Sequence, residues 1–64
     1  MKAIAFDGTD ETGKKTDYLM NVDAIEYVVL TEDDIRVYMS SGNSSRFFGG
    51  KDKLFELIKR EMQQ

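Results

Sequence analysis

Cysteine and histidine are both absent from these 64 residues. The first absence excludes disulfides and thiolate sites. The second removes the commonest metal ligand and the usual acid–base catalyst. Ser40, Ser41, Ser44 and Ser45 therefore have no histidine to activate them. No metal, no cofactor and no enzymatic activity are expected. The chain also lacks any apolar run near the ~20 residues that a helix needs to cross a bilayer. Its N-terminus turns acidic after six residues, at Asp7, unlike a secretory leader. A soluble cytoplasmic protein with no membrane role is the simplest expectation.

Size sets the next constraint. A chain this short makes one domain at most, spanning 1–64, and buries only about 60% of its unfolded surface. Domains of this size usually add a disulfide, a metal or a partner subunit. With the first two excluded, association with another chain, including a homodimer, becomes a serious expectation.

Cationic charge is scarce as well. The net charge is −3, which argues against nonspecific nucleic-acid binding. The charge is also uneven. Residues 1–34 hold nine acids against three lysines, and residues 35–64 hold six bases against three acids. Such asymmetry either orients a partner or averages out on folding, and averaging is the simpler reading.

The stretch "FDGTDETGKKT" comes close to a nucleotide phosphate loop, with Gly8, four residues, Gly13 and Lys14. A phosphate loop needs a helix after it, because the helix N-terminus meets the phosphate. The segment after Lys14 looks like a strand, and Lys15 stands where a magnesium-binding Ser or Thr belongs. Asp7, Asp10 and Glu11 would repel a triphosphate. A calcium loop fits no better, since Thr12 replaces the glycine and no acid closes the loop. The stretch reads as a solvated hairpin connection. "RFFGG", residues 46–50, has a faint likeness to the aromatic strand of an RNA-recognition motif, but the second aromatic strand and the helices are missing.

Short alternating runs separated by turn residues dominate the chain. Strands are expected at 2–6, 16–22, 26–31, 35–40 and 45–48, with a bend or helical turn at 21–25. From Lys51 the period becomes helical, with Leu54, Leu57, Ile58 and Glu61 on one face and Phe55 and Met62 beside it. Leu57 and Ile58 are expected to dock that helix, Asp52 to cap it or complement its dipole, and residues 62–64 to fray. The fold class is α+β: a four- to five-stranded antiparallel sheet, a β-meander that can curl, with one C-terminal helix.

Register arithmetic sharpens this expectation. A short loop at Glu32-Asp33 sets Leu30 against Ile35, Val28 against Val37 and Tyr27 against Tyr38. A turn around Gly42-Asn43 sets Val37 against Phe48 and Tyr38 against Phe47. Alternation then places Val28, Leu30, Ile35, Val37, Met39 and Phe48 on a core face. The opposite face carries Tyr27, Val29, Arg36, Tyr38 and Phe47, an aromatic row unusual for a surface that meets only water. This is the candidate interaction surface. The N-terminal hairpin can cover it through Ile4, Phe6 or Tyr18, a second copy can bury it, or another macromolecule can bind it.

"YLMNVDAIEYVVLTEDDIRVYMSSG" followed by "KDKLFELIKREM" resembles small bacterial strand-rich proteins with one terminal helix, such as the flagellar-operon FlbD family. Asn21, Ile25-Glu26, the alternating hairpin at 35–39 and Gly42 occupy the corresponding roles. The acidic first loop and "NSSRFFGG" depart from that pattern. The resemblance implies the fold and a non-catalytic role, and transfers no binding residue. The functional expectation is a small regulatory or adaptor protein, bacterial or phage-type, acting through protein contacts and self-association. The alternative is a nucleic-acid-binding module using Tyr27, Tyr38 and Phe47 with Arg36.

Overall fold

A computed structural model describes residues 2–63. Strand β1 (Ala3–Thr9) and β2 (Lys15–Asn21) form one antiparallel hairpin. A 3-10 turn (Val22–Ala24) leads into β3 (Ile25–Leu30), β4 (Ile35–Met39) and β5 (Ser44–Phe47), and the chain ends in helix α1 (Lys51–Met62). The class is the α+β fold expected. The five strands divide into two sheets, β1-β2 and β3-β4-β5, rather than one meander. The division falls at the 3-10 turn, where Asn21 Oδ1 accepts from Asp23 N and caps the turn. A backbone bond bridges the two sheets, Phe48 N donating to Thr9 O at 2.8 Å, while Ser40 N donating to Ala24 O at 2.8 Å extends the β3–β4 pairing into the 3-10 turn.

Three connections set the registers. The β3–β4 loop is Glu32-Asp33, and the partners Leu30–Ile35, Val28–Val37 and Tyr27–Tyr38 are those expected. No residue in this loop has positive φ, so it is not the primed turn that two-residue hairpins favour. The Thr31 side chain supplies the closure: its Oγ1 accepts from the amides of Asp33 and Asp34 at 3.2 and 3.0 Å.

The β4–β5 connection differs from the expectation. Met39 N donates to Asn43 O and Gly42 N donates to Met39 O, with Gly42 at φ +96°. This is a three-residue loop, 40–42, closed by a left-handed glycine. The first hairpin repeats the same pattern: Asp10 N donates to Lys14 O and Gly13 N to Asp10 O, with Gly13 at φ +88°. Phe47 consequently pairs with Ile35 and Arg46 with Arg36, whereas the shorter turn would have paired Phe47 with Tyr38. The displacement is an odd number of residues, so every β5 side chain changes face.

The core forms where the two sheets meet α1. Ile4 and Met20 come from the first hairpin, Val22 and Ile25 from the turn and β3, Ile35, Val37 and Phe47 from the second sheet, and Leu54 and Ile58 from α1. Each such side chain contributes roughly 1.5–3 kcal/mol when fully buried. Leu54 and Ile58 are the buried helix anchors, and Leu57 and Phe55 flank them only partly buried. Helix α1 starts at Gly50 without a side-chain cap. Asp52 sits in its first turn, complementing the dipole rather than capping. At the other end Lys2 Nζ donates to Glu61 O at 3.1 Å, where the helix dipole favours a cation. The helix reaches Met62 and Gln63 N still bonds Lys59 O, while the fraying expected of Gln64 lies outside the described residues.

Candidate interaction surface

Alternation along β3, β4 and β5 places Tyr27, Val29, Arg36, Tyr38 and Arg46 on the sheet face opposite the core. Tyr27 and Tyr38 stack with ring centroids 4.5 Å apart and planes 15° from parallel. Such a pair is worth about 0.5–1.5 kcal/mol beyond its area and needs no covering layer. Tyr27 remains 49% exposed and Val29 39%. Four of the five residues expected on this surface are therefore brought together.

Phe47 is the correction. It lies on the core face at 4% exposure, because the three-residue loop shifts β5. There it meets the first hairpin edge-on, with Phe6 at 5.1 Å and Tyr18 at 4.9 Å, while Phe6 and Tyr18 stack at 5.3 Å. The N-terminal hairpin thus does cover an aromatic residue through Phe6 and Tyr18, but on the opposite side of the sheet from the tyrosine pair. Phe48, expected in the core, is partly buried, and the Arg46 guanidinium lies over its ring at 5.2 Å. Leu30, also expected inside, is 36% exposed.

Asp34 organises the polar half of the surface. Its place in "EDD" suggests a turn residue, yet it is 1% exposed. Its Oδ1 accepts from Thr31 Oγ1 at 2.6 Å, and its Oδ2 accepts from Arg36 Nε at 3.2 Å and Arg46 Nε at 2.8 Å. The Thr31 hydroxyl first, then the two guanidinium groups, hold its carboxyl down at about 2 despite the opposing effect of burial. The hydrogen bond and charge of Asp34 in turn raise Arg36. One carboxylate thereby fixes two arginines by their Nε atoms, and both side chains remain near half exposed. Arg36 also hydrogen-bonds the Tyr38 side chain, so the guanidinium groups are held in a preset orientation on this face. The Asp34–Arg36 spacing, two apart on a strand, is a signal visible in sequence. Arg46 joins only once the loop length is known.

The phosphate-loop-like stretch is a strand, a turn and a strand. Gly8 belongs to β1 opposite Thr16, and Lys14 precedes β2, so the helix that must follow a phosphate loop is replaced by a strand; the start of α1 at Gly50 lies near Thr9 but follows β5. Gly8 has a packing role: a Cβ there would lie 2.7 Å from Phe47 and 3.1 Å from both Phe6 and Tyr18. The Asp10 carboxylate turns inward, accepting from Thr12 Oγ1 and from the amides of Thr12 and Lys14. The Thr12 hydroxyl first, then the Lys14 amide, lower its pKa. Among the described residues no three acids converge on one point. None of the described helices is long and apolar enough to cross a membrane.

Comparison with protein-family models, with curated proteins and with solved structures finds no match to this chain.

Proposed function

We propose that this is a non-catalytic binding protein that works through protein–protein contacts, with the outer face of the β3-β4-β5 sheet as its docking surface. What supports this reading is the Asp34 hub: two arginines held in place by a buried carboxylate, beside an exposed tyrosine stack. Tyrosine and arginine anchor protein interfaces because they combine area with directional bonds at small entropic cost. The guanidinium groups fit an acidic segment of the partner, and the stack fits an adjoining apolar side chain. The FlbD-like arrangement of residues 18–62 fits the same kind of role, a small cytoplasmic regulator in a bacterial or phage setting.

The test is capture of partners from a bacterial lysate by the parent, by Tyr38→Ser, by the double variant Arg36→Ser/Arg46→Ser, and by Leu19→Ser. Leu19, 77% exposed, lies on the other hairpin and serves as the control. Partners held by the parent and Leu19→Ser but lost by the other two variants support the reading. Equal capture by all four refutes it.

Nucleic acid is the second reading, and Arg46 over Phe48 beside the tyrosine stack is the feature that favours it. Sheet-borne aromatics and arginines form stacking platforms for single strands. Asp34 neutralises part of the positive charge, which weakens this reading. Titration with labelled oligonucleotides separates the two: phosphate contacts give affinity that falls steeply with salt.

A further inference from the structure

The exposed large apolar side chains are concentrated. Tyr27, Val29, Leu30 and Met62 all lie on β3 or at the end of α1, and among the described residues only Leu19 lies elsewhere. Strand β3 is also an edge, paired on one side with β4 and on the other with no described strand. Thr31 N donates to Asp34 O at 2.9 Å, so in the antiparallel ladder residues 27, 29 and 31 address β4. Val28 and Leu30 then point their N–H and C=O groups at the open edge. Proteins blunt such edges with lysine, proline or short strands. Strand β2 carries Lys15 and Asp17, and β5 is four residues with Arg46. Strand β3 has neither lysine nor proline, and its bulge, between Ile25 and Tyr27, disturbs one end only. Next to the edge, Tyr27, Val28, Phe55, Ile58, Lys59 and Met62 line a groove of about 330 Å³.

We infer that β3 pairs antiparallel with β3 of a second copy, about a two-fold axis at Val28, to give a continuous six-stranded sheet. This gives a geometry to the self-association expected of a domain this small without disulfide or metal, rests on the reading of a protein that works through protein contacts, and uses the sheet edge rather than the outer face. The occupant follows from self-complementarity. Backbone groups match only in registers that set Val28 against an even-numbered residue of the partner strand. With Val28 against itself, Tyr27 lies beside Val29 of the second copy, an aromatic–β-branched pair that favours cross-strand packing. The stacked row then continues across the axis as Tyr38, Tyr27, and the second copy's Val29 and Arg36. Leu30 falls opposite Glu26 of the second copy, beside that copy's groove, and Glu26 lines the groove. Glu26 is the single charge in β3. In this register the two copies of Glu26 stand about 13 Å apart along the strands, beyond the physiological screening length of about 8 Å. Setting Val29 against itself instead would place Glu26 against Glu32 twice. One strand plus one groove is a small interface, so dissociation in the micromolar range is expected, about 1–100 µM.

Sedimentation velocity from about 1 µM to about 1 mM covers that range, with amide exchange read alongside. The parent should shift from monomer to dimer, and the Val28 and Leu30 amides should gain protection as it does so. Leu30→Lys, at an already exposed position, should stay folded by circular dichroism and raise the dissociation constant at least tenfold. A synthetic chain N-methylated at Leu30 keeps the side chain and removes one edge donor, and should do the same. A parent that stays monomeric at about 1 mM overturns the inference, as does a dimer whose Val28 and Leu30 amides exchange as fast as in the monomer. Arg36→Ser/Arg46→Ser should still dimerise. Loss of partner capture with dimerisation intact tests the outer face, and loss of dimerisation with capture intact tests the edge, so the two readings fail separately.

Discussion

Strand β4 alternates between two environments one residue apart. Ile35 and Val37 are completely buried under α1 and the first hairpin, whereas Arg36 and Tyr38 stand on a face that no described element covers. The inner face is held by volume: apolar side chains from all five strands, the 3-10 turn and α1 interlock, and any lost methyl group is felt. The outer face is held by direction: a carboxylate, a hydroxyl and two guanidinium groups in a fixed arrangement. Stability therefore resides mainly on one side of the sheet, and the other side is free to be shaped for contact.

The sharpest way to break this comparison is to empty the inner face. Ile35→Ala or Ile58→Ala should cost about 2–5 kcal/mol, enough to unfold much of a domain this small. Leu57→Ala, on a side chain only partly buried, should cost clearly less. Thermal or urea unfolding measures all three, and equal losses would mean that the helix docks evenly along its face.

Gly8→Ala probes the same face by overfilling it. The added Cβ would press on Phe47 and on the rings of Phe6 and Tyr18. A loss of roughly 1–3 kcal/mol is expected in the same unfolding measurement. Little or no change would show that the aromatic trio can yield.

Acid titration probes the outer face. The Asp34 carboxyl is held at about 2 in the folded protein against an ordinary 3.8. Its ionised form is favoured by folding, so this contribution is complete above the ordinary value and is lost as pH falls from there through about 2. Asp34→Asn should be less stable than the parent near neutrality and show a flatter stability profile across that window. A variant that tracks the parent at every pH would remove Asp34 from the stabilising set.

The smallest effect is expected furthest from both faces. Replacing residues 10–12 with a short glycine turn, while Thr9 keeps its bond from Phe48 N, should change stability by less than about 1 kcal/mol, since loop closure depends only weakly on length. The Asp10 bonds to Thr12 and Lys14 would be lost, but they are exposed and local. Collapse of the fold in that variant would show that the first hairpin depends on its tip.

The β3–β4 pairing was legible because Glu32-Asp33 lies between two clearly alternating runs. The β4–β5 pairing was not, because "SSGN" fits either a two-residue or a three-residue loop, and only the left-handed Gly42 distinguishes them. That single difference moved Phe47 inside and brought Arg46 out beside Arg36. The aspartate in "EDDIR" was visible as a residue. Its burial was not, since that depends on an arginine from a third strand.

Local rules in the sequence determined the element types: a period of two in the strands, a longer period after Gly50, and glycine where the chain turns. They also determined which residues of β4 share a face, because alternation within a strand needs no partner. Tertiary structure decided which strand edges meet, which aromatic residues are covered and which charges converge on Asp34. These are contacts between residues distant in the chain, and a shift of an odd number of residues in one loop reverses every face of the next strand.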